Sequence, residues 1–226
     1  MNGFISIRVE KPFKYIGNQY DIYCANAALL IILFTKGKTD FMFSIMKLLK
    51  IHKSIVLIGM MGAGKTHIGR MLAQKLGVEF FDSDKVIEAK AGISVAEIFE
   101  QYGEEKFRQC EKNTIKELLE NEPCVIATGG GAITNPDTFA LIKDHSYSIW
   151  LEVPLDLIWQ RIKSSSHRPL LQDENPRKKL ETIYTEREAL YKQAQFHVLN
   201  EHAEQSVSSI INSIKSLSDD EREDNL

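Results

Sequence analysis

Gly59-Met-Met-Gly62-Ala63-Gly64-Lys65-Thr66 fits the pattern GxxxxGK[ST]. In that pattern the glycines let backbone N–H groups turn inward on a polyphosphate, and the helix that follows adds positive potential at its N-terminus. Lys65 is spaced to reach the β- and γ-phosphates, and the Thr66 hydroxyl to hold Mg2+. Asp82 and Asp84 stand one residue apart in "FFDSD". One carboxylate could order a water on Mg2+, a hard cation that keeps several waters. The other could accept hydrogen bonds from an acceptor hydroxyl and help take its proton. Capping of a helix that begins at Lys85 is the plainer role for these acids.

Three arginines and a glycine run complete the set. Arg108, in "GEEKFRQCE", lies on a helix whose apolar face includes Phe107, Ile115 and Leu118. It could bind an anion there or form a surface salt bridge with Glu104 or Glu111. Gly129-Gly130-Gly131 follows a buried strand, and three glycines in a row are conformationally costly unless something must approach the backbone closely. Arg168, in "SSSHRPLL", sits on a segment with no apolar period, suited to swing over a transferring phosphate. Arg187, in "YTEREALYKQA", lies on a helix leading back toward the sheet.

These groups need a frame, and the hydropathy pattern supplies one. Ile55–Ile58 is an aliphatic run that stops at a glycine, as a buried parallel strand does. Ile68, Met71, Leu72 and Leu76 then recur at helical spacing until Gly77. "VEFFDSD", "CVIATGGG", "YSIWLEV" and "FHVL" read as four more strands. Helices are expected in "SVAEIFEQYG" and "EEKFRQCEKNTIKELLE", split at Gly103, then after Pro154, over Arg177–Gln195, and over Val207–Ile214. Alternating strands and helices predict an α/β fold, a five-stranded parallel sheet with helices on both faces. Ligands of such sheets bind beyond the carboxyl ends of the strands, where the loop, the two acids and the glycine run all fall.

Composition narrows the function classes. The 226 residues are 43% hydrophobic, enough for one core with length to spare. A net charge of −3 argues against a dedicated nucleic-acid binder. The longest apolar run, Ala27–Phe34, is far shorter than the ~20 residues of a membrane helix, so no membrane association is expected. Cys24, Cys110 and Cys124 form neither a disulfide framework nor a metal motif; Cys124 reads as a small buried hydrophobe, and a reducing cytoplasm fits best. Residues 1–45 form an extension open to three readings: an accessory element packed on the core, a loose extension, or translation from an early start codon ahead of Met42 or Met46. Residues 46–217 are expected to form the domain that carries the glycine loop, the acids and the arginines, and 218–226, with five acids against one Arg, an acidic disordered tail.

With these pieces in order, the sequence resembles the shikimate kinases from about Lys53 to Ile214. The resemblance is carried by "GMMGAGKT", "FFDSD", "FR..E", "ATGGGAI", "RPLL" and "ER..LY" in that order. It implies a P-loop kinase of the nucleoside-monophosphate-kinase-like fold with a mobile lid, transferring the γ-phosphoryl group of ATP to the 3-hydroxyl of shikimate. By the same resemblance Asp84 holds the substrate hydroxyls and is the candidate base. Arg108 and Arg187 clamp the substrate carboxylate, and Gly130 approaches the substrate through its backbone. Asp82 and Thr66 serve Mg2+, and Lys65 and Arg168 stabilise the transferring group. Gly62, Ala63, Gly64, Lys65, Thr66, His67 and Arg168 contact ATP, while Arg161 lies toward the adenine. A monomer is expected. His67 departs from the family pattern, which usually has Thr or Ser there: its backbone N–H can still meet the α-phosphate, but a hydroxyl contact is lost.

Other readings fit less well. A guanine-reading NKxD segment is absent, and no glycine separates Lys65 from Thr66 as adenylate-kinase-like enzymes usually have. A gluconate kinase would not need the glycine run with two arginines. A nucleotide-binding module without catalysis would be expected to have lost Asp84 or Arg168.

Overall fold

The computed structural model describes residues 51–163 and 174–223, with side chains to residue 217. The N-terminal extension, Arg168 and the rest of the expected lid lie outside the described residues.

Strand β1 (Ser54–Ile58) is buried at every position, as its unbroken aliphatic run requires. Helix α1 (Lys65–Leu76) follows the glycine loop and ends at Gly77, whose left-handed conformation closes it. Next come β2 (Phe80–Asp82), α2 (Ser83–Ala91) and α3 (Val95–Glu120). Ser94 opens α3 with a capping box, its hydroxyl accepting from the Glu97 N–H while the Glu97 carboxylate accepts from the Ser94 N–H. At Gly103 the backbone leaves helical geometry (φ 79°, ψ 169°), so α3 is two helical segments joined at the glycine. Strand β3 (Val125–Ala127) leads through the glycine run into a short 3-10 turn, Ala132–Thr134.

Helix α4 (Pro136–His145) has no counterpart in the hydropathy reading. Its start was nevertheless written locally: the Asn135 side chain accepts from the Thr138 N–H, and Pro136 occupies the first turn. Strand β4 (Ser146–Glu152), α5 (Leu155–Ile162), α6 (Pro176–Tyr191), β5 (Phe196–Leu199) and α7 (Ala203–Glu223) complete the described residues.

Among the described residues all strand pairs are parallel, in the order β2-β3-β1-β4-β5. Asp82 of β2 pairs in register with Ala127 of β3, which pairs with Leu57 of β1. Register thus puts the carboxyl ends of these three strands level, and the segments that leave them emerge from one edge. The main core packs around Ile55, Leu57, Ile126 and Ile149, each fully buried. A smaller cluster of Ile87, Ile98 and Phe107 ties α2 to α3.

Two boundaries differ from the sequence reading. Helix α2 begins at Ser83, so Asp84 lies in its first turn and not at the end of the strand. Helix α7 runs to Glu223, past residue 218 where the acidic tail was expected to begin. Val207, Ile210 and Ile214 anchor that helix on the core, and once nucleated, a helix extends at little cost per residue.

Candidate functional site

The glycine loop turns between β1 and α1 through positive φ at Gly62 and Gly64. Gly64 is the helix N-cap and supplies no side-chain acceptor. Lys65, Thr66 and His67 are the first three helical residues, whose N–H groups lack an intrahelical carbonyl partner by geometry. This is a general anion cradle. The His67 side chain is exposed. Lys65 is buried and donates to the carbonyls of Gly59 (2.7 Å) and Met60 (2.9 Å) on the loop it follows.

Thr66 Oγ1 donates to Asp82 Oδ2 at 2.8 Å. Asp82 occupies the N-cap position of α2 but makes no capping hydrogen bond; its carboxylate faces the phosphate loop. A hydroxyl and a carboxylate held together at a phosphate cradle fit Mg2+, a hard cation that takes few protein ligands and keeps waters and phosphate oxygens for the rest. Among the described residues no cluster of three or more His, Cys, Asp or Glu offers a protein-only metal site.

The glycine run forms the opposite wall. A Cβ on Gly131 would overlap the guanidinium of Arg108. A Cβ on Gly129 would lie 2.7 Å from Glu111 Oε1 and 2.9 Å from Asp84 Oδ1. Gly130 packs against the phosphate loop itself, its Cβ position 3.2 Å from the Met61 nitrogen. Its carbonyl accepts from Arg187 Nη1 (3.1 Å) and Tyr191 Oη (2.6 Å). Close approach of side chains and backbone from four directions is why glycine recurs here.

Arg108 resolves a choice the sequence left open. It pairs with both Glu104 (3.0 Å) and Glu111 (2.6 Å), yet it is buried rather than a surface group. The salt bridges hold the guanidinium against the glycine run, so pairing and site location go together. Burial pushes Glu111 up to about 7, opposed by Arg108 and helped by the negative charge of Asp84. Burial and the neighbouring Asp82 also raise Asp84, opposed by Lys65 and Arg108. Asp84 Oδ1 and Glu111 Oε1 are both buried with no hydrogen-bond partner among the described residues.

The structure therefore gathers Lys65, Thr66, Asp82, Asp84, Arg108, Gly130 and Arg187 around the ends of β1, β2 and β3. Arg168 lies outside the described residues. Arg161 donates to the Gly62 carbonyl at 3.2 Å, on the back of the phosphate loop.

Three contributors escaped the sequence reading. From the sequence, Glu111 offers no more than a surface partner for Arg108. Tyr191 closes the stretch "ER..LY", where its spacing alone assigns it no role. Asn200, just after β5, donates to the Ala63 carbonyl at 2.7 Å and accepts from Ser206 Oγ, bracing the loop from behind. Their signal was a polar residue at a core position of the pattern, which alone does not point to a partner.

Comparison with known proteins converges on one family. The family model described as shikimate kinase matches residues 61–217. A shikimate kinase of Ruegeria pomeroyi is 43% identical over 164 residues, covering 73% of this chain and 84% of the relative. The structure of the Acinetobacter baumannii shikimate kinase in complex with shikimate superposes with a TM-score of 0.72 at 39% identity, covering 76% of this chain and 97% of that one. A gluconokinase from Sinorhizobium meliloti shares the fold at a TM-score of 0.55 but only 16% identity, covering 77% and 98% of the two chains. Family model, sequence relatives and solved structures thus agree with the geometry of the loop, the acids and the glycine run: the chain belongs to the shikimate kinase family.

Proposed function

We propose that this chain transfers the γ-phosphoryl group of ATP to the 3-hydroxyl of shikimate, giving shikimate 3-phosphate and ADP. The observation that carries the reading is the packing of Gly130 directly on the phosphate loop, with Asp84, Arg108 and Arg187 grouped around the same turn. An acceptor held by those residues lies beside a nucleotide held by the loop, so much of the catalytic effect comes from positioning.

In this mechanism the N–H groups at the start of α1, His67 included, hold the ATP phosphates. Lys65 exchanges its carbonyl partners for phosphate oxygens and stabilises charge on the transferring group. Arg168, outside the described residues, is assigned the same role by the family resemblance. Thr66 and Asp82 are the residues that would hold Mg2+, Asp82 through water; the bound ion supplies charge neutralisation on the phosphates. Arg108 and Arg187 bind the substrate carboxylate, a task for which planar guanidinium groups suit bidentate geometry. Asp84 orients the substrate hydroxyls and accepts the proton of the attacking one. Its raised affinity for protons brings it nearer the range where a base works well at neutral pH.

Among the described residues no helix is long and apolar enough to cross a membrane, and a cytoplasmic monomer is the state that accompanies this reading. ADP release measured with shikimate, quinate, gluconate and nucleoside monophosphates in parallel tests it. Turnover with shikimate alone is expected; turnover with gluconate and none with shikimate overturns the reading.

A further inference from the structure

Tyr191, the last residue of α6, is fully buried beneath the junction of the two loops. Its ring stacks on Trp150 of β4, with centroids 5.9 Å apart and planes 14° from parallel. Its hydroxyl donates to the Gly130 carbonyl at 2.6 Å and lies 3.6 Å from Met60 Sδ of the phosphate loop. One phenol therefore touches both the loop that cradles the donor and the turn that receives the acceptor. The Gly130 carbonyl is shared with Arg187, which must redirect part of its guanidinium to bind a carboxylate. Tyr191 has no such second duty. Burial pushes its hydroxyl up to about 12, against the opposing charge of Arg187, so it remains a donor at any working pH.

We infer that Tyr191 is a positioning residue for phosphoryl transfer: its hydroxyl fixes the Gly130 turn against the phosphate loop and keeps the Gly130 carbonyl satisfied while Arg187 engages the substrate. Spacing between the two loops sets the alignment of acceptor oxygen and phosphorus, and small misplacements there cost large factors in rate. The hydroxyl also frees Arg187, because without it Arg187 would be the carbonyl's sole partner in the hydrogen bonds seen here and would bind substrate in competition with that role. The inference rests on the phosphotransferase reading above.

Tyr191→Phe tests it, since the ring and its stack on Trp150 are kept and the fold with them. Expected are a drop in kcat of about ten-fold, a several-fold rise in KM for shikimate and a KM for ATP within two-fold of the parent. Trp150→Phe is the control for packing alone: it loosens the support under the ring but leaves the hydroxyl, so it should lower Tm with both kinetic constants within about two-fold. A double-mutant cycle with Arg187→Ala adds a second readout. The combined loss in kcat/KM for shikimate should be smaller than the product of the single losses, because both act through one carbonyl. Tyr191→Phe kinetics matching Trp150→Phe at a similar Tm, or strictly multiplicative losses in the cycle, would overturn the inference. Absence of shikimate turnover in the unaltered protein would instead defeat the phosphotransferase reading on which it rests.

Discussion

Glu111 Oε2 accepts from Arg108 Nη1 at 2.6 Å, one turn along the same helix, with the carboxylate fully buried. The pair has two consequences that can be measured separately. Glu111 holds Arg108 against Gly131, so Glu111→Gln should loosen the guanidinium that meets the substrate. Loss of a charge-assisted hydrogen bond of roughly 1.5–3 kcal/mol predicts a rise in KM for shikimate of at least ten-fold, with KM for ATP little changed. Steady-state kinetics in each substrate checks this.

The same residue gives stability a dependence on pH. Glu111 sits near 7 in the folded protein against 4.5 as its ordinary value, so between those values the folded state binds more protons than the unfolded one. Its contribution is therefore full below about pH 4.5 and is lost as pH rises toward 7, on the order of 3 kcal/mol in all. Glu111→Gln should remove that slope. Denaturant unfolding at pH 5 and pH 8, compared between parent and variant, reads the difference; parallel curves would refute the assignment.

Thr66 and Asp82 approach each other from α1 and the end of β2, which predicts a defect confined to the metal. Asp82→Asn keeps an oxygen for the Thr66 hydroxyl but removes the charge. The Mg2+ concentration giving half-maximal activity should rise about ten-fold, while KM for shikimate changes by less than about two-fold. A magnesium titration at saturating substrates measures it.

Two glycines that both lack room for a side chain should fail in different ways. At Gly131 a Cβ meets the Arg108 guanidinium, the far end of a side chain that can be displaced. Gly131→Ala should therefore fold but bind shikimate about ten-fold more weakly. At Gly69, inside α1, a Cβ meets the Phe80 ring and lies 3.3 Å from Leu57 Cδ1, both packed under the sheet. Overpacking there costs about 1–3 kcal/mol, so Gly69→Ala should lower Tm by several degrees and leave KM values within two-fold. Thermal melts and kinetics on both variants separate the two kinds of loss.

The phosphate loop was legible because each of its parts is local: a strand that stops at glycine, glycines at fixed spacing, and a helix that starts at Lys65. That the loop, the acids and the glycine run fall at the carboxyl ends of parallel strands also followed from pattern, but the register that levels β1, β2 and β3 did not, since β2 is a half-buried strand of three residues, Phe80–Asp82. Glu111 was not legible in the same way. Its spacing from Arg108 shows only that the two can pair on a helix, and nothing local says that this face turns inward onto a glycine run. Tyr191 and Asn200 depend on contacts across the sheet, at sequence separations that periodicity does not see. Helix α4 is different again: Asn135 and Pro136 announced its start, but the short apolar set of Phe139 and Ile142 was overshadowed by the glycines before it.

Asp84 carries the sharpest catalytic prediction. Its Oδ1 is buried without a hydrogen-bond partner among the described residues and lies 2.9 Å from where a Cβ on Gly129 would stand, at the wall where an acceptor would rest. A buried acceptor without a donor is costly in the folded protein, and a substrate hydroxyl would supply the donor. Asp84→Asn keeps the shape but replaces a base with an amide that cannot take a proton. Turnover should fall by at least about 100-fold, the usual contribution of a positioned general base. ATP affinity by calorimetry should stay within about three-fold, because the phosphates are held by the loop and not by this group. The pH profile adds a sign: since Asp84 holds its proton to higher pH than an ordinary aspartate, kcat/KM in the parent should fall on the acid side as Asp84 becomes protonated. In Asp84→Asn the residual activity should lack that acid limb. Residual turnover above about one tenth, or an acid limb that persists in the variant, would remove Asp84 from the role of base.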